Sequence, residues 1–326
     1  MTDIACIVLA AGLGTRMKSD RPKVLHLAAG RSLLGHVLAA AATLQPRRIV
    51  TVIGPGSDEV AAAARAALPE VAIAIQQQRR GTADAVAAAR HLADKLAPTT
   101  LILYGDVPLV RPETLKSLVT AVAGGVKLAA LGFAADDPTG YGRLIVDGDG
   151  QLCAIREELD ASPEERAVTL CNGGLMAVES ALLWRLLAQI GESNAKGERY
   201  LTDLVGLAAG TGARTAVVGC PQAEVLGVNS RRDLALVERR FQERLRQAAM
   251  AGGATLIAPE TVFLCHDTRI GRDVVVEPNV TIGPKVTIAD GATIRSFCHL
   301  EGAEIGEGAV IGPFARLRPG ARIGKA

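Results

Sequence analysis

The chain has 326 residues, with 36 Lys and Arg against 34 Asp and Glu, so its formal net charge is only +2. That balance, with aromatic residues at 3%, excludes a general nucleic-acid binder, which needs a concentrated basic face with stacking aromatics. The length suits two domains with a sizeable core. Six scattered cysteines show no C-x-x-C pair and no zinc spacing with histidine, and fit reduced thiols in a cytoplasmic protein. No cationic-then-apolar leader and no membrane-length apolar run is present, so no membrane partner is expected.

The first apolar run, Ile4–Leu9, predicts a buried strand. It opens into Leu9-Ala10-Ala11-Gly12-Leu13-Gly14-Thr15-Arg16-Met17, followed by Arg21-Pro22-Lys23-Val24-Leu25. Small residues and two glycines let backbone N–H groups approach a ligand closely. Arg16 and Lys23 add permanent cations, so the bend suits a polyphosphate. Met17 stands where G-x-G-x-x-G would need its third glycine, so the dinucleotide fingerprint fails. No G-x-x-x-x-G-K-[ST] run occurs either, which argues against a P-loop kinase or ATPase.

Up to about residue 125, strand-like runs (4–9, 48–53, 71–75, 100–104) alternate with helix-like ones (32–43, 58–68, 82–96, 112–122). The alternation predicts a mostly parallel sheet with helices on both faces and ligands at the carboxyl ends of its strands. Two further segments fall at that edge. Gln76-Gln77-Gln78-Arg79-Arg80-Gly81-Thr82 follows a strand and opens a helix, so it can face a bound base, though Thr82 serves equally well as a plain N-cap. Tyr104-Gly105-Asp106 ends a buried strand in a carboxylate, which is either a turn residue or a ligand for a metal such as Mg²⁺.

Residues 126–250 are less regular. A strand at 126–133 leads to the loop Asp136-Asp137-Pro138-Thr139-Gly140-Tyr141-Gly142-Arg143. A strand at 152–156 leads to Glu157 and Glu158, and Cys171-Asn172-Gly173-Gly174 precedes another at 175–178. Helices are expected at 198–209 and 231–248, with Val228-Asn229-Ser230 before the second. From 252 the texture changes. Ile270, Val276, Ile282, Ile288, Ile294 and Leu300 recur every six residues, and after one five-residue step Ile305, Ile311, Leu317 and Ile323 resume the period. That hexad predicts a parallel β-helix with stacked apolar residues inside, and a bulge or altered corner at the slip.

These motifs resemble the sugar-phosphate nucleotidylyltransferases through the loop 9–17 with Pro22-Lys23. With Gly81-Thr82, Tyr104-Gly105-Asp106, the 137–143 loop, Gly227-Val228-Asn229 and the hexads, the chain is similar to the bifunctional bacterial N-acetylglucosamine-1-phosphate uridylyltransferase/glucosamine-1-phosphate acetyltransferases. The resemblance implies an α/β fold: a Rossmann-like nucleotidylyltransferase domain with a mixed, mostly parallel sheet, then the start of a left-handed parallel β-helix. It implies domains at 1–230 and 252–326 joined by a linker helix at 231–251. By the same resemblance Leu9, Ala10, Ala11, Gly12, Gln76, Gly81 and Thr82 hold uridine, with Tyr104 and Gly105 beside them. Gly142, Glu157 and Asn172 would hold the sugar, Arg16 and Lys23 the phosphates, and Asp106 with Asn229 a Mg²⁺ ion, Asn229 also counting among the substrate-binding residues. Cys171-Asn172-Gly173-Gly174 departs from the family's more usual Asn-Thr-Gly.

The implied reaction joins UTP and N-acetylglucosamine 1-phosphate into UDP-N-acetylglucosamine and pyrophosphate, for peptidoglycan and lipopolysaccharide precursors. Another sugar 1-phosphate is the alternative substrate. The family's acetyltransferase residues lie in later coils than those present, so that reaction is expected only of a longer parent chain, and the end at Ala326 is expected to be a truncation. A homotrimer through the β-helix is also implied.

Overall fold

The computed structural model describes residues 3–93 and 97–326; the end of the helix expected at 82–96 lies outside the described residues. The chain divides into two compact units. One holds the chain up to His26 together with Leu33–Ser230, and the other holds Leu27–Ser32 with Arg231–Ala326.

The first unit is built on a mixed sheet, nine-stranded among the described residues. Its strands are β1 (Ile4–Leu9), β2 (Arg48–Ile53), β3 (Ala72–Ile75), β4 (Thr99–Tyr104), β5 (Leu128–Ala134), β6 (Arg143–Val146), β7 (Leu152–Arg156), β8 (Leu170–Glu179) and β9 (Thr215–Gly219). The order β9-β5-β8-β4-β1-β2-β3 is parallel except at β8, which runs antiparallel to both neighbours, and β6 and β7 extend from β8. All six residues of β1 are buried, as a continuous apolar run between helical layers requires. Alternation along the strand sends Cys6 and Val8 to one core, with Leu34 and Leu103, and Ile7 and Leu9 to the other, with Val50 and Val86. Each such fully buried aliphatic side chain contributes roughly 1.5–3 kcal/mol.

The helices follow the expected order: α1 (Leu33–Ala42), α2 (Asp58–Ala67), α3 (Thr82–Ala88), α4 (Pro112–Ala123) and α5 (Asp203–Gly210). Two depart from expectation. The run beginning at Thr82 breaks at Ala89 before a short turn at Arg90–Ala93. The helix expected from 198 starts only at Asp203, because the backbone before it is engaged elsewhere. Arg199 N–H donates to the Arg80 carbonyl at 2.7 Å, and Arg199 O accepts from Ala83 N–H at 3.0 Å. Those groups are unavailable to a helix.

In the second unit α6 (Arg231–Ala251) runs past the expected end at 248 and stops at Gly252-Gly253. Two-residue strands then stack into three parallel four-stranded ladders, the coils of a left-handed β-helix. Val276, Ile282, Ile288, Ile294, Leu300, Ile305 and Ile311 form its buried core. Left-handed backbone recurs at Asp273, Asn279, Lys285, Gly291 and Phe297, then one residue early at Gly302, and again every sixth residue at Gly308, Phe314 and Gly320. The slip is therefore a shortened corner and not a bulge: Ile288 still pairs in register with Ile305. The hairpin Leu27–Ser32 belongs to this unit through Ala29, whose N–H donates to Glu238 Oε2 at 2.7 Å and whose carbonyl accepts from His266 N–H at 2.8 Å.

Candidate active site

The carboxyl ends of β1, β3 and β4 open onto a cleft of about 290 Å³. Leu9, Ala10, Ala11 and Gly12 line it from β1 and the loop that follows. Gln76, Gly81 and Thr82 line it from the segment after β3, and Tyr104 and Asp106 from β4, with Lys23 at the same wall. Gly105 anchors the edge by donating its N–H to the Leu9 carbonyl at 2.9 Å. Arg79, Ala85 and Glu198 also line the cleft. Arg79, within the 76–82 segment, carries no local signal of a role; its Nε donates to the Ala11 carbonyl at 3.0 Å and so holds the glycine loop.

Gly14 makes the loop possible. It sits at φ 63°, and a Cβ there would lie 2.6 Å from Lys23 Cβ. Lys23 can therefore pack against the loop only because residue 14 has no side chain. Its ammonium contacts Asp106 Oδ2 and donates to Asn229 Oδ1 at 3.1 Å. Val228 N–H donates to the Asp106 carbonyl at 2.9 Å, which fixes the Asn229 loop to the end of β4. Arg16 stands exposed on a single turn whose neighbour Met17 is buried.

Two oxygens thus converge on one cationic nitrogen. Among the described residues no cluster of three His, Cys, Asp or Glu side chains could enclose a metal. A carboxylate and a carboxamide oxygen fit a hard cation that keeps waters and phosphate oxygens as its other ligands.

Thr82 is not the N-cap of α3; Gly81 holds that position, at φ 120°. The Thr82 hydroxyl oxygen accepts from Leu201 N–H at 2.9 Å. Burial, reinforced by the nearby Glu157 and Asp106 charges and opposed by a hydrogen bond with Thr82, pushes the Tyr104 hydroxyl up. Tyr104 is therefore a neutral hydrogen-bonding group at physiological pH.

Gly142, Glu157 and Asn172 are not in the cleft lining but gather beside it. Asn172 N–H donates to the Gly142 carbonyl at 2.8 Å, and Asn172 Oδ1 accepts from Gly174 N–H at 2.9 Å. A Cβ on Gly174 would touch the Tyr104 ring at 3.5 Å, which ties this group to the cleft. Glu157 accepts from the Thr202 hydroxyl at 3.1 Å, and burial raises its carboxyl above the ordinary range. Arg143, wholly buried, pairs with Glu158 at 2.7 Å and donates to the Tyr141 and Arg166 carbonyls, clamping the loop that carries Gly142.

Residues 6–145 match the MobA-like NTP transferase domain, and residues 267–302 match the bacterial transferase hexapeptide of six repeats. The chain is 53% identical over 273 residues to the bifunctional protein GlmU of Azorhizobium caulinodans, covering 84% of this chain and 61% of that protein. It is 54% identical to the GlmU of Xanthobacter autotrophicus over the same shares, 84% and 61%, and 52% identical to that of a Bradyrhizobium species, over 83% and 60%. The chain spans about three-fifths of the length of these curated relatives. With a match to an NTP transferase domain followed by one to hexapeptide repeats, the chain is similar to the bifunctional GlmU proteins over the part it shares with them.

Proposed function

We propose that the first unit is a uridylyltransferase that makes UDP-N-acetylglucosamine and pyrophosphate from UTP and N-acetylglucosamine 1-phosphate. The observation that carries this reading is the Lys23 ammonium held between Asp106 and Asn229 at the foot of the glycine loop. The identity with GlmU proteins supports it independently.

A sugar phosphate has its second pKa at about 6, so it is already an anion near neutral pH and needs no base to become a nucleophile. One of its oxygens attacks the α-phosphorus of UTP, the bond to the bridging oxygen breaks, and pyrophosphate leaves with that electron pair. The barrier is mutual repulsion of polyanions, so positioning and electrostatics carry the rate. Leu9, Ala10, Ala11, Gly12, Gln76, Gly81 and Thr82 hold the uridine, and Gly142, Glu157 and Asn172 hold the sugar. Lys23 turns from Asp106 to the transferring phosphate, and Arg16 grips the departing one. Asp106 and Asn229 would hold Mg²⁺, which when bound neutralises charge on phosphate oxygens.

The second unit is, in this reading, the opening of an acetyltransferase domain whose later coils are needed to acetylate glucosamine 1-phosphate. A homotrimer through the β-helix and a cytoplasmic setting complete the proposal. Among the described residues no helix is long and apolar enough to cross a membrane.

The test is pyrophosphate release from UTP, with and without Mg²⁺, comparing N-acetylglucosamine 1-phosphate with glucose 1-phosphate. Mg²⁺-dependent release selective for the N-acetyl sugar is expected. Release without such selectivity transfers the reading to another sugar 1-phosphate, and binding of UDP-sugar without any release makes the chain a non-catalytic binder.

A further inference from the structure

Gln76 lines the cleft yet is only 4% exposed, so its buried amide must meet partners of the right polarity. Its Nε2 donates to the Gly81 carbonyl at 3.0 Å and to Asp84 Oδ2 at 3.1 Å. Both partners are acceptors only, so chemistry assigns the orientation: the nitrogen faces Asp84 and Oε1 is left as the group available to a ligand. Asp84 cannot turn to relax this. Its other oxygen, Oδ1, faces Arg80 at 3.3 Å and Arg199 at 3.9 Å. The carboxylate is divided, one oxygen toward two guanidinium groups and one toward the amide.

Resting on the uridylyltransferase reading above, we propose that Asp84 is a positioning residue for nucleobase choice: it locks the Gln76 amide so that the cleft offers a hydrogen-bond acceptor to the base. Uracil presents an N3–H donor to such an acceptor. Cytosine presents a bare N3 lone pair, and acceptor against acceptor leaves both groups unpaired in a buried place. A site built around one hydrogen bond rejects the analogue that lacks it more strongly than an apolar pocket does.

Asp84→Asn breaks the lock. The two arginines keep Oδ1, so the new amide nitrogen faces Gln76. A donor then meets a donor at residue 84 while the Gly81 carbonyl still accepts from Nε2, so neither orientation of Gln76 satisfies both neighbours and the amide is free to present Nε2 to cytosine N3. Asp84→Glu keeps the acceptor and the charge and is the rescue variant. Asp84→Ser, whose hydroxyl accepts or donates, releases Gln76 without reversing it, and guards against loss of folded protein in one variant.

The experiment measures kcat/KM for UTP and for CTP on the full chain and the three variants, with equilibrium binding of both nucleotides alongside. The wild-type chain is expected to prefer UTP. Asp84→Asn is expected to lower the UTP-to-CTP ratio by about tenfold or more, Asp84→Ser by less, and Asp84→Glu to restore it. If both nucleotides lose kcat/KM in parallel and the ratio holds, Asp84 merely supports Arg199 and the inference is overturned while the uridylyltransferase reading stands. A wild-type chain with no preference for UTP removes both.

Discussion

Lys23 and Asn229, 206 positions apart, are joined by a hydrogen bond of 3.1 Å. The same ammonium contacts Asp106, so a side chain stands where two oxygens could otherwise hold a free cation. Replacing it separates two effects. Lys23→Met is expected to lower kcat by roughly 10²–10³, the scale for losing one electrostatic stabiliser. It is also expected to tighten binding of Mn²⁺ to the substrate-free protein, because Asp106 loses its competing cation; electron paramagnetic resonance titration reads this directly. Weaker Mn²⁺ binding in the variant would disprove the competition.

Arg16 is exposed and contributes nothing to either core. Arg16→Ala is therefore expected to leave the melting temperature within about 1 °C of the wild type, as surface changes do. Its kcat should fall by roughly 10²–10³ if the guanidinium grips the leaving pyrophosphate. Single-turnover kinetics with a matched melting curve checks both halves.

At Gly14 the added methyl of alanine would collide with Lys23 Cβ and would sit in left-handed backbone. The backbone cost is about 1–2 kcal/mol. The larger consequence is displacement of Lys23 from Asp106 and Asn229, so Gly14→Ala is expected to lose more activity than its stability loss accounts for. Activity falling only in proportion to the unfolded fraction, measured by urea titration, would refute that expectation.

Glu157 gives a pH signature. Burial raises its carboxyl above the ordinary value of 4.5, so the folded chain holds that proton more tightly than the unfolded one. The resulting stabilisation is complete below about 4.5 and is lost as pH rises through the raised value. Glu157→Gln cannot ionise, so it is expected to melt above the wild type at pH 7 and to converge with it toward pH 4. The same variant should bind the sugar phosphate more weakly. A melting advantage that grew on acidification would contradict the sign.

What could be read from the sequence was what is written locally. The buried β1 and the hexad core are periodic patterns within a few residues of themselves, and both stand in the structure. The glycine loop was legible because Gly14 and Lys23 are close in sequence as well as in space. The rest depends on distant partners. Nothing near residue 198 shows that Arg199 will commit its backbone to Arg80 and Ala83, so the local pattern predicts a helix there. Thr82 was ambiguous because the group that decides it, Leu201 N–H, comes from another segment. Asp84 carried no signal at all, since its meaning lies in which oxygen meets Gln76 and which meets Arg199.

The hairpin Leu27–Ser32 has a consequence for how such proteins can be taken apart or recombined. Its hydrogen-bonding partners, Glu238 and His266, are encoded far downstream. A polypeptide ending at Ser230 would carry that hairpin with both partners missing. A swap of the hexapeptide half between related genes would likewise pair a hairpin from one parent with a helix from the other. Shuffling these halves as cassettes is expected to succeed only when the short early segment travels with the late one.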